Sequence, residues 1–315
     1  MLTRRHIRVK VMQAIYAHYA GNHLSLKEGT SAINQSCRDM DKLYFINLSL
    51  FKSLWEFASE QNKIQNTNRR SDNPVETSYG VIIALSPLAL IAKHPFVDKM
   101  IADLKINIWE LEFEFIRSLY NEIVASDLFR EYQSLENPSF KSQQKFLVKV
   151  FKEIIAPNER LYFYIEDLNM QWVDDLPIIN THFLKQLRKL REEDLSSLNF
   201  PKTIEKSEDI QFGIDLYEKV VANEEELQKE FEGKTPNWDQ ERIATLDNLL
   251  IKIALAELIY CQDIPPKVTL NEYLEIAKEY STPKSNQFIN GVLDSLVKEY
   301  LENDRLNKQG RGLLE

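Results

Sequence analysis

The chain is poor in the residues that build several large classes of protein. Its 2 cysteines, Cys37 and Cys261, are far apart and match no metal-ligand spacing, which excludes a disulfide framework and a zinc module. Its 8 glycines form no phosphate-binding loop, dinucleotide fingerprint or nucleophile elbow, and they mark no paired hairpin turns. The 5 histidines include no pair at i, i+3 or i, i+4 spacing, so no helical face presents two imidazoles to a metal. The most apolar stretch, residues 81–92, is interrupted by Ser86 and Pro87 and falls short of the about 20 residues that span a bilayer. The first residues lack the apolar core and small-residue cleavage pattern of a secretory leader. These absences lead us to expect a cytoplasmic protein with no membrane association, no cofactor and no catalytic activity. The nearest approach to a catalytic or metal-binding cluster is Glu166, Asp167, Asp174 and Asp175, followed by Glu224 to Glu226, and both groups fit solvated helix faces.

What is abundant is helical periodicity. Ile7, Val11, Ala14, Ile15 and His18 repeat at helical spacing over residues 1–20, which predicts an amphipathic helix with Arg4, Arg5 and Arg8 on its outer side. Further helices are predicted over residues 41–60, 97–108, 111–125, 141–155, 160–171, 176–191 and 209–231, with residues 62–73 as a polar linker. Residues 246–259 are apolar nearly all round, the mark of a buried central helix. Pro265 and Pro266 end it. Thr269 with Glu272 has the spacing of a capping box that opens the next helix, with Val268 stapled to Tyr273. Thr282 and Pro283 open the last helix, which carries Ile289, Val292, Leu293, Leu296 and Tyr300 on one face. Gly291 interrupts that helix, and a close helix approach would explain it. The fold class is all-α, built of packed helical bundles.

Charge is unevenly placed. The first 27 residues hold five basic residues and no acidic one, so the rest of the chain carries −14 against a total of −9. A solvated face normally mixes both signs, and a basic arm on an acidic body suits contact with phosphate. Tyr16 and Tyr19 lie on the same arm, where they could stack on bases or pack in the core.

Three stretches then carry a resemblance. Arg4-Arg5-His6-Ile7-Arg8 with Gln13-Ala14-Ile15-Tyr16, Phe212 with Asp215 and Leu216, and the run from Ala254-Leu255-Ala256-Glu257-Leu258 through Asp263-Ile264-Pro265 to Phe288-Ile289-Asn290-Gly291-Val292-Leu293-Asp294 resemble the NusB family of bacterial transcription antitermination factors. The likeness covers about two-fifths of the chain in two pieces. It implies a discontinuous NusB-like domain of residues 1–27 and 205–305, a helical insertion of residues 28–204 and a flexible tail of residues 306–315.

The resemblance further implies an all-helical protein that binds boxA-type RNA together with the ribosomal protein NusE, within the RNA polymerase antitermination complex that reads through terminators in ribosomal RNA operons. Carried over by position, Arg4, Arg5, Arg8, Lys10, Lys284 and Phe288 would contact RNA, and Tyr16 and Asp247 would face NusE. Lys284 departs from the family, where an acidic or polar residue is common. The alternative is a helical scaffold that binds protein and no RNA.

Overall fold

The computed structural model describes residues 3–21, 25–68, 77–192, 208–232 and 244–313. Among them no strand occurs, and the elements are helices. The chain divides into two compact units, a split unit made of Leu2–Cys37 with Ile204–Glu315 and a middle unit, Arg38–Thr203. The division falls within one long helix.

In the split unit, α1 (Arg4–Ala20) packs on α12 (Glu208–Ala222) and on α14 (Thr245–Tyr260). The start of α2 (Leu26–Asn68), α13 (Glu224–Glu232), α15 (Pro266–Tyr280) and α16 (Pro283–Glu302) complete it. Every residue of α14 from Leu249 to Leu258 is buried, as its apolar run predicts. Removing a Leu or Ile side chain from water contributes about 1.5–3 kcal/mol, so this helix is the natural centre of the unit.

Contrary to the amphipathic reading, α1 is buried on several sides. Residues 7 to 12, together with Ala14, Ile15 and His18, are all buried, because α12 and α14 both lie against it. Two glycines allow close packing here. A Cβ at Gly213 of α12 would come within 2.4 Å of the Ile7 side chain, and one at Gly29 of α2 would overlap the Tyr217 ring. A Cβ at Gly291 of α16 would have nothing within 4 Å, so no close approach among the described residues explains that glycine.

Several sequence-based boundaries shift. The Thr269–Glu272 pair does not cap α15, because Pro266 at the first helical position starts that helix three residues earlier. Val268 is exposed while Tyr273 is fully buried, so no staple joins them. Residues 62–68 continue α2 as helix, and the remainder of the expected linker, 69–73, lies outside the described residues. The stretch 209–231 is two helices, α12 and α13, separated at Asn223. The stretch expected as a flexible tail is held near its start: Lys308 Nζ donates to the Cys261 carbonyl at 2.9 Å and the Gln309 amide to that of Gln262 at 3.1 Å.

The middle unit is organised on the remainder of α2. Trp109 Nε1, from the short α6 (Ile108–Leu111), donates to Ser49 Oγ at 2.8 Å. Phe51 lies against the rings of Phe151 and Phe183. The apolar stretch 81–92 forms two short helices, α3 (Ser78–Ile83) and α4 (Ser86–Ala92), broken before Pro87. They are followed by α5 (Pro95–Asp103), α7 (Phe113–Ala125), α8 (Asp127–Gln133) and α9 (Phe140–Val150). α9 continues through one π-helical turn, Phe151–Ile155, and α10 (Glu159–Leu168) and α11 (Trp172–Lys189) close the unit. No helix among the described residues is long and apolar enough to cross a membrane.

The two glycines in α12 and α16 make a contrasting pair of tests. Gly213→Ala should destabilise the protein by about 1–3 kcal/mol through overpacking against Ile7, whereas Gly291→Ala should stabilise it by about 0.5–1 kcal/mol. Urea denaturation of both variants measures the two signs.

Candidate nucleic-acid interface

The N-terminal end of α1 forms one wall of a groove of about 660 Å³, lined by Thr3, Arg4, Arg5, His6 and Arg8 on one side and Asp263, Ile264, Pro265, Val268 and Glu272 on the other. The helix start is local in origin: the Thr3 backbone N–H donates to His6 Nδ1 at 3.1 Å. That bond needs an unprotonated ring nitrogen. Burial, with Arg5 and Lys10 nearby, lowers the His6 pKa below its ordinary value and keeps the acceptor available.

The three arginines differ in what they offer. Arg4 is 45% exposed in its side chain and its Nε meets Asp209 at 3.0 Å. Arg5 is 39% exposed and makes a two-pronged bond to Glu272, at 2.8 and 2.9 Å.

Arg8 is only 2% exposed, which corrects its placement on the outer side of the helix. Its Nε and Nη2 each donate to Glu257 at 2.7 Å, and Glu257 on α14 is fully buried. Glu257 also accepts from Thr269 Oγ1 at 2.8 Å and from the Tyr273 hydroxyl at 3.0 Å. A carboxylate so buried requires both a cation and satisfied lone pairs. Burial acts to lower the Arg8 pKa, but the bonds and charge of Glu257 outweigh it and hold the guanidinium above its ordinary value. Thr269 and Glu272, spaced like a cap, serve this network instead, in which Arg8 also lies 3.7 Å from Glu272.

Other expected contacts also move. Lys10 and Phe288 are buried, at 3% and 5% exposure, so neither is presented to an RNA strand. Phe288 belongs to the inner face of α16, between Ser285 and Ile289, which are also buried. Lys284 is exposed on the first turn of that helix but does not line the groove. The half-buried ring that does meet the arginines is Phe212 on α12, with the guanidinium carbons of Arg4 and Arg8 at 5.1 and 5.3 Å from its centroid. Periodicity carries no signal for this role, since only the packing of α12 on α1 brings the ring there.

A second groove of about 390 Å³ lies at the other end of α1, lined by Tyr16, Tyr19, Glu224, Thr245, Asn248 and Lys252 among others. Tyr16 is half exposed. Asp247 is buried instead and accepts from Ser281 Oγ at 2.6 Å, so it fixes the start of α14 and is not a surface contact. Cys261 offers no nucleophile near neutral pH, because burial, reinforced by Glu257, pushes its thiol up to about 12. Among the described residues no three His, Cys, Asp or Glu side chains are grouped to hold a metal ion.

With this geometry in place, the comparisons with known proteins are specific. Residues 170–298 match the NusB family. The matched NusB segment runs from the last helix of the middle unit into α16, and α1 lies outside it. Among curated relatives, the transcription antitermination protein NusB of Chloroherpeton thalassium is 41% identical over 100 residues, covering 32% of this chain and 47% of that protein. NusB of Salinibacter ruber is 41% identical over 103 residues, covering 33% and 64%, and that of Methylacidiphilum infernorum is 37% identical over 81 residues, covering 26% and 57%. The chain thus spans from about half to just under two-thirds of the length of the curated NusB proteins it matches. No solved structure matches it.

Two outcomes test the reading of the arginines. Arg8→Met, which leaves Glu257 buried without its cation, should cost about 3–5 kcal/mol of stability, whereas Arg4→Ala should cost under about 1 kcal/mol, both by urea unfolding. Glu272 is held below its ordinary carboxylate range first by its hydrogen bonds from Arg5 and then by the charges of Arg5 and Arg8. Its contribution to stability is therefore present above the ordinary value of 4.5 and lost as pH falls through it toward the lower folded value. The stability gap between the native protein and Glu272→Gln should narrow as pH drops through that range in acid-unfolding series.

Proposed function

We propose that this chain is a transcription antitermination factor that binds boxA-type RNA together with a NusE-like ribosomal protein and promotes read-through in ribosomal RNA operons as part of the RNA polymerase antitermination complex. It acts by binding, without catalysis or a cofactor. On this reading the split unit, α1 included, forms most of the NusB-like domain, the family match adds α11 to it by beginning at residue 170, and the insertion lies within residues 38–169.

The observation that carries the reading is the groove at the start of α1, where Arg4 and Arg5 remain half exposed beside the Phe212 ring. A phosphate would take the place of Asp209 on Arg4 and share Arg5 with Glu272. Lys284 adds charge on α16. Arg8 and Lys10, being buried, act through the position of α1. Tyr16, with the second groove around it, offers a surface to the protein partner, and the acidic total charge of the chain suits a basic ribosomal protein by speeding encounter.

Affinity for a boxA RNA, measured across a salt series with the NusE-like protein present, tests this. Replacing Arg4, Arg5 and Lys284 together by Ala should weaken binding and flatten the slope of log affinity against log salt by about 0.7 for each phosphate no longer neutralised. Helix content should be unchanged. Unaltered affinity and slope in a folded triple variant would remove the groove from the RNA site and leave the protein-binding scaffold as the better account, which the carboxylate partners of the arginines would then favour.

A further inference from the structure

The middle unit carries a row of cations that the proposed RNA groove does not use. Lys141, Lys145 and Lys149 of α9 are exposed. At 100° per residue they span an arc of about 80° on one side of the helix, while Phe146, Leu147 and Val150 fill the buried side. Lys152, in the π-helical turn that continues α9, is exposed three residues later. No acidic residue occurs between Glu136 and Glu153.

Helix stability does not explain the row. Lysines four apart repel one another, and Lys141 lies in the first turn of α9, where the helix dipole disfavours a cation and where no acidic residue is present. Only Lys149 has an acidic partner, Glu131 at 3.5 Å across an exposed surface. Among the described residues Lys141, Lys145 and Lys152 make no ion pair, on a chain with 48 acidic against 39 basic side chains.

A second basic segment lies beside α9. Gln144, between Lys141 and Lys145 in the chain, donates from Nε2 to the carbonyls of Leu187 and Leu190 at 2.8 and 2.9 Å. This fixes the C-terminal end of α11 beside α9, and that end carries Lys185, Arg188 and Lys189, all exposed. Two segments free of acids thus meet.

We propose that this face of the middle unit, centred on Lys141, Lys145 and Lys149, is a second binding site for the phosphate backbone of single-stranded RNA. Cations repeated once per helical turn, with about 5–6 Å between neighbouring Cβ atoms, match a ligand whose negative charge also repeats, and lysine ammonium groups on flexible stems suit phosphates without reading sequence. The choice of RNA over another polyanion rests on the function proposed above. The site itself rests on the lysine row.

The test uses the full-length chain and a fluorescein-labelled oligouridylate titrated over a potassium chloride series, without any partner protein. Changing Lys141, Lys145 and Lys149 together to Gln, a residue of similar helix propensity, should flatten the salt slope by about 2, at about 0.7 per phosphate. Affinity at low salt should fall about tenfold or more, with the melting temperature no lower and, through relief of the lysine repulsion, slightly higher. Changing the same three to Arg should preserve binding. An unchanged slope in the folded Gln variant would overturn the proposal, and so would binding of poly-glutamate as tight as that of RNA and equally sensitive to the three substitutions, which would mark a protein-docking face. An Arg4→Ala, Arg5→Ala variant separates the two readings. If it abolishes oligouridylate binding while the Gln variant does not, the lysine site fails and the groove stands. If binding falls in the Gln variant alone, the lysine site stands without the groove.

Discussion

The carboxylate of Glu257 sits in the last turns of the apolar helix α14, with no exposure to water, and its charge dictates much of what surrounds it. A buried anion of this kind is stable only with a cation in contact and its lone pairs filled. Arg8 supplies the cation through two short bonds, and Thr269 and Tyr273 fill the remaining positions. Since these groups come from α1, α14 and α15, the network ties the N-terminal helix to elements about 250 positions later in the chain. Such a pair is weak evidence for net stability, because both ions lose their hydration. Its effect is on geometry: in this placement of α1 against α14 the Glu257 carboxylate receives bonds from Arg8, Thr269 and Tyr273.

That placement decides which cations remain for a ligand. With Arg8 committed to Glu257, α1 turns Arg4 and Arg5 toward the groove beside Pro265 and Val268, and it brings Phe212 beneath the guanidinium groups. The exposed arginines are paired with Asp209 and Glu272, so a phosphate ligand would exchange one anion for another without entering an empty positive field. The salt dependence of binding then reflects this exchange as well as counterion release. The close approach of Gly213 to Ile7 and of Gly29 to Tyr217 belongs to the same arrangement, since α1 can lie deep in the unit only where its neighbours lack a side chain.

The middle unit has a different character. Its aromatic core is built around Phe51, Phe151 and Phe183, and some of its charged stretches are each of one sign. Acidic residues gather at the end of α10 and in the first turn of α11, including the Glu166, Asp167 and Asp174 group. Basic residues gather on α9 and at the end of α11. Clustering of this kind raises local potential at the cost of repulsion between like charges, and on the proposed reading it would let an inserted segment add to binding without altering the helices that precede and follow it.

Much of the architecture was legible in the residues. The apolar run of α14, the Thr282–Pro283 start of α16 and the helical spacing throughout determined an all-helical chain, because hydrophobic periodicity and proline act locally. The motifs of the C-terminal part likewise determined the family resemblance. Periodicity, however, states which residues share a face and not how many faces are covered. The pattern of Ile7, Val11 and Ile15 therefore suggested one buried side for α1, while the structure covers several and buries Arg8 and Lys10 with them. The same limit applies to Phe288, whose position on the inner side of α16 depends on which helix packs there. Thr269 and Glu272 show it most clearly. Their spacing fits a cap, yet Pro266 opens the helix earlier and leaves both free to bind groups from distant segments. Side chains that satisfy a buried charge are chosen by three-dimensional proximity, so which residues anchor the fold and which stay available to a ligand was decided only when the tertiary structure brought α1, α14 and α15 together.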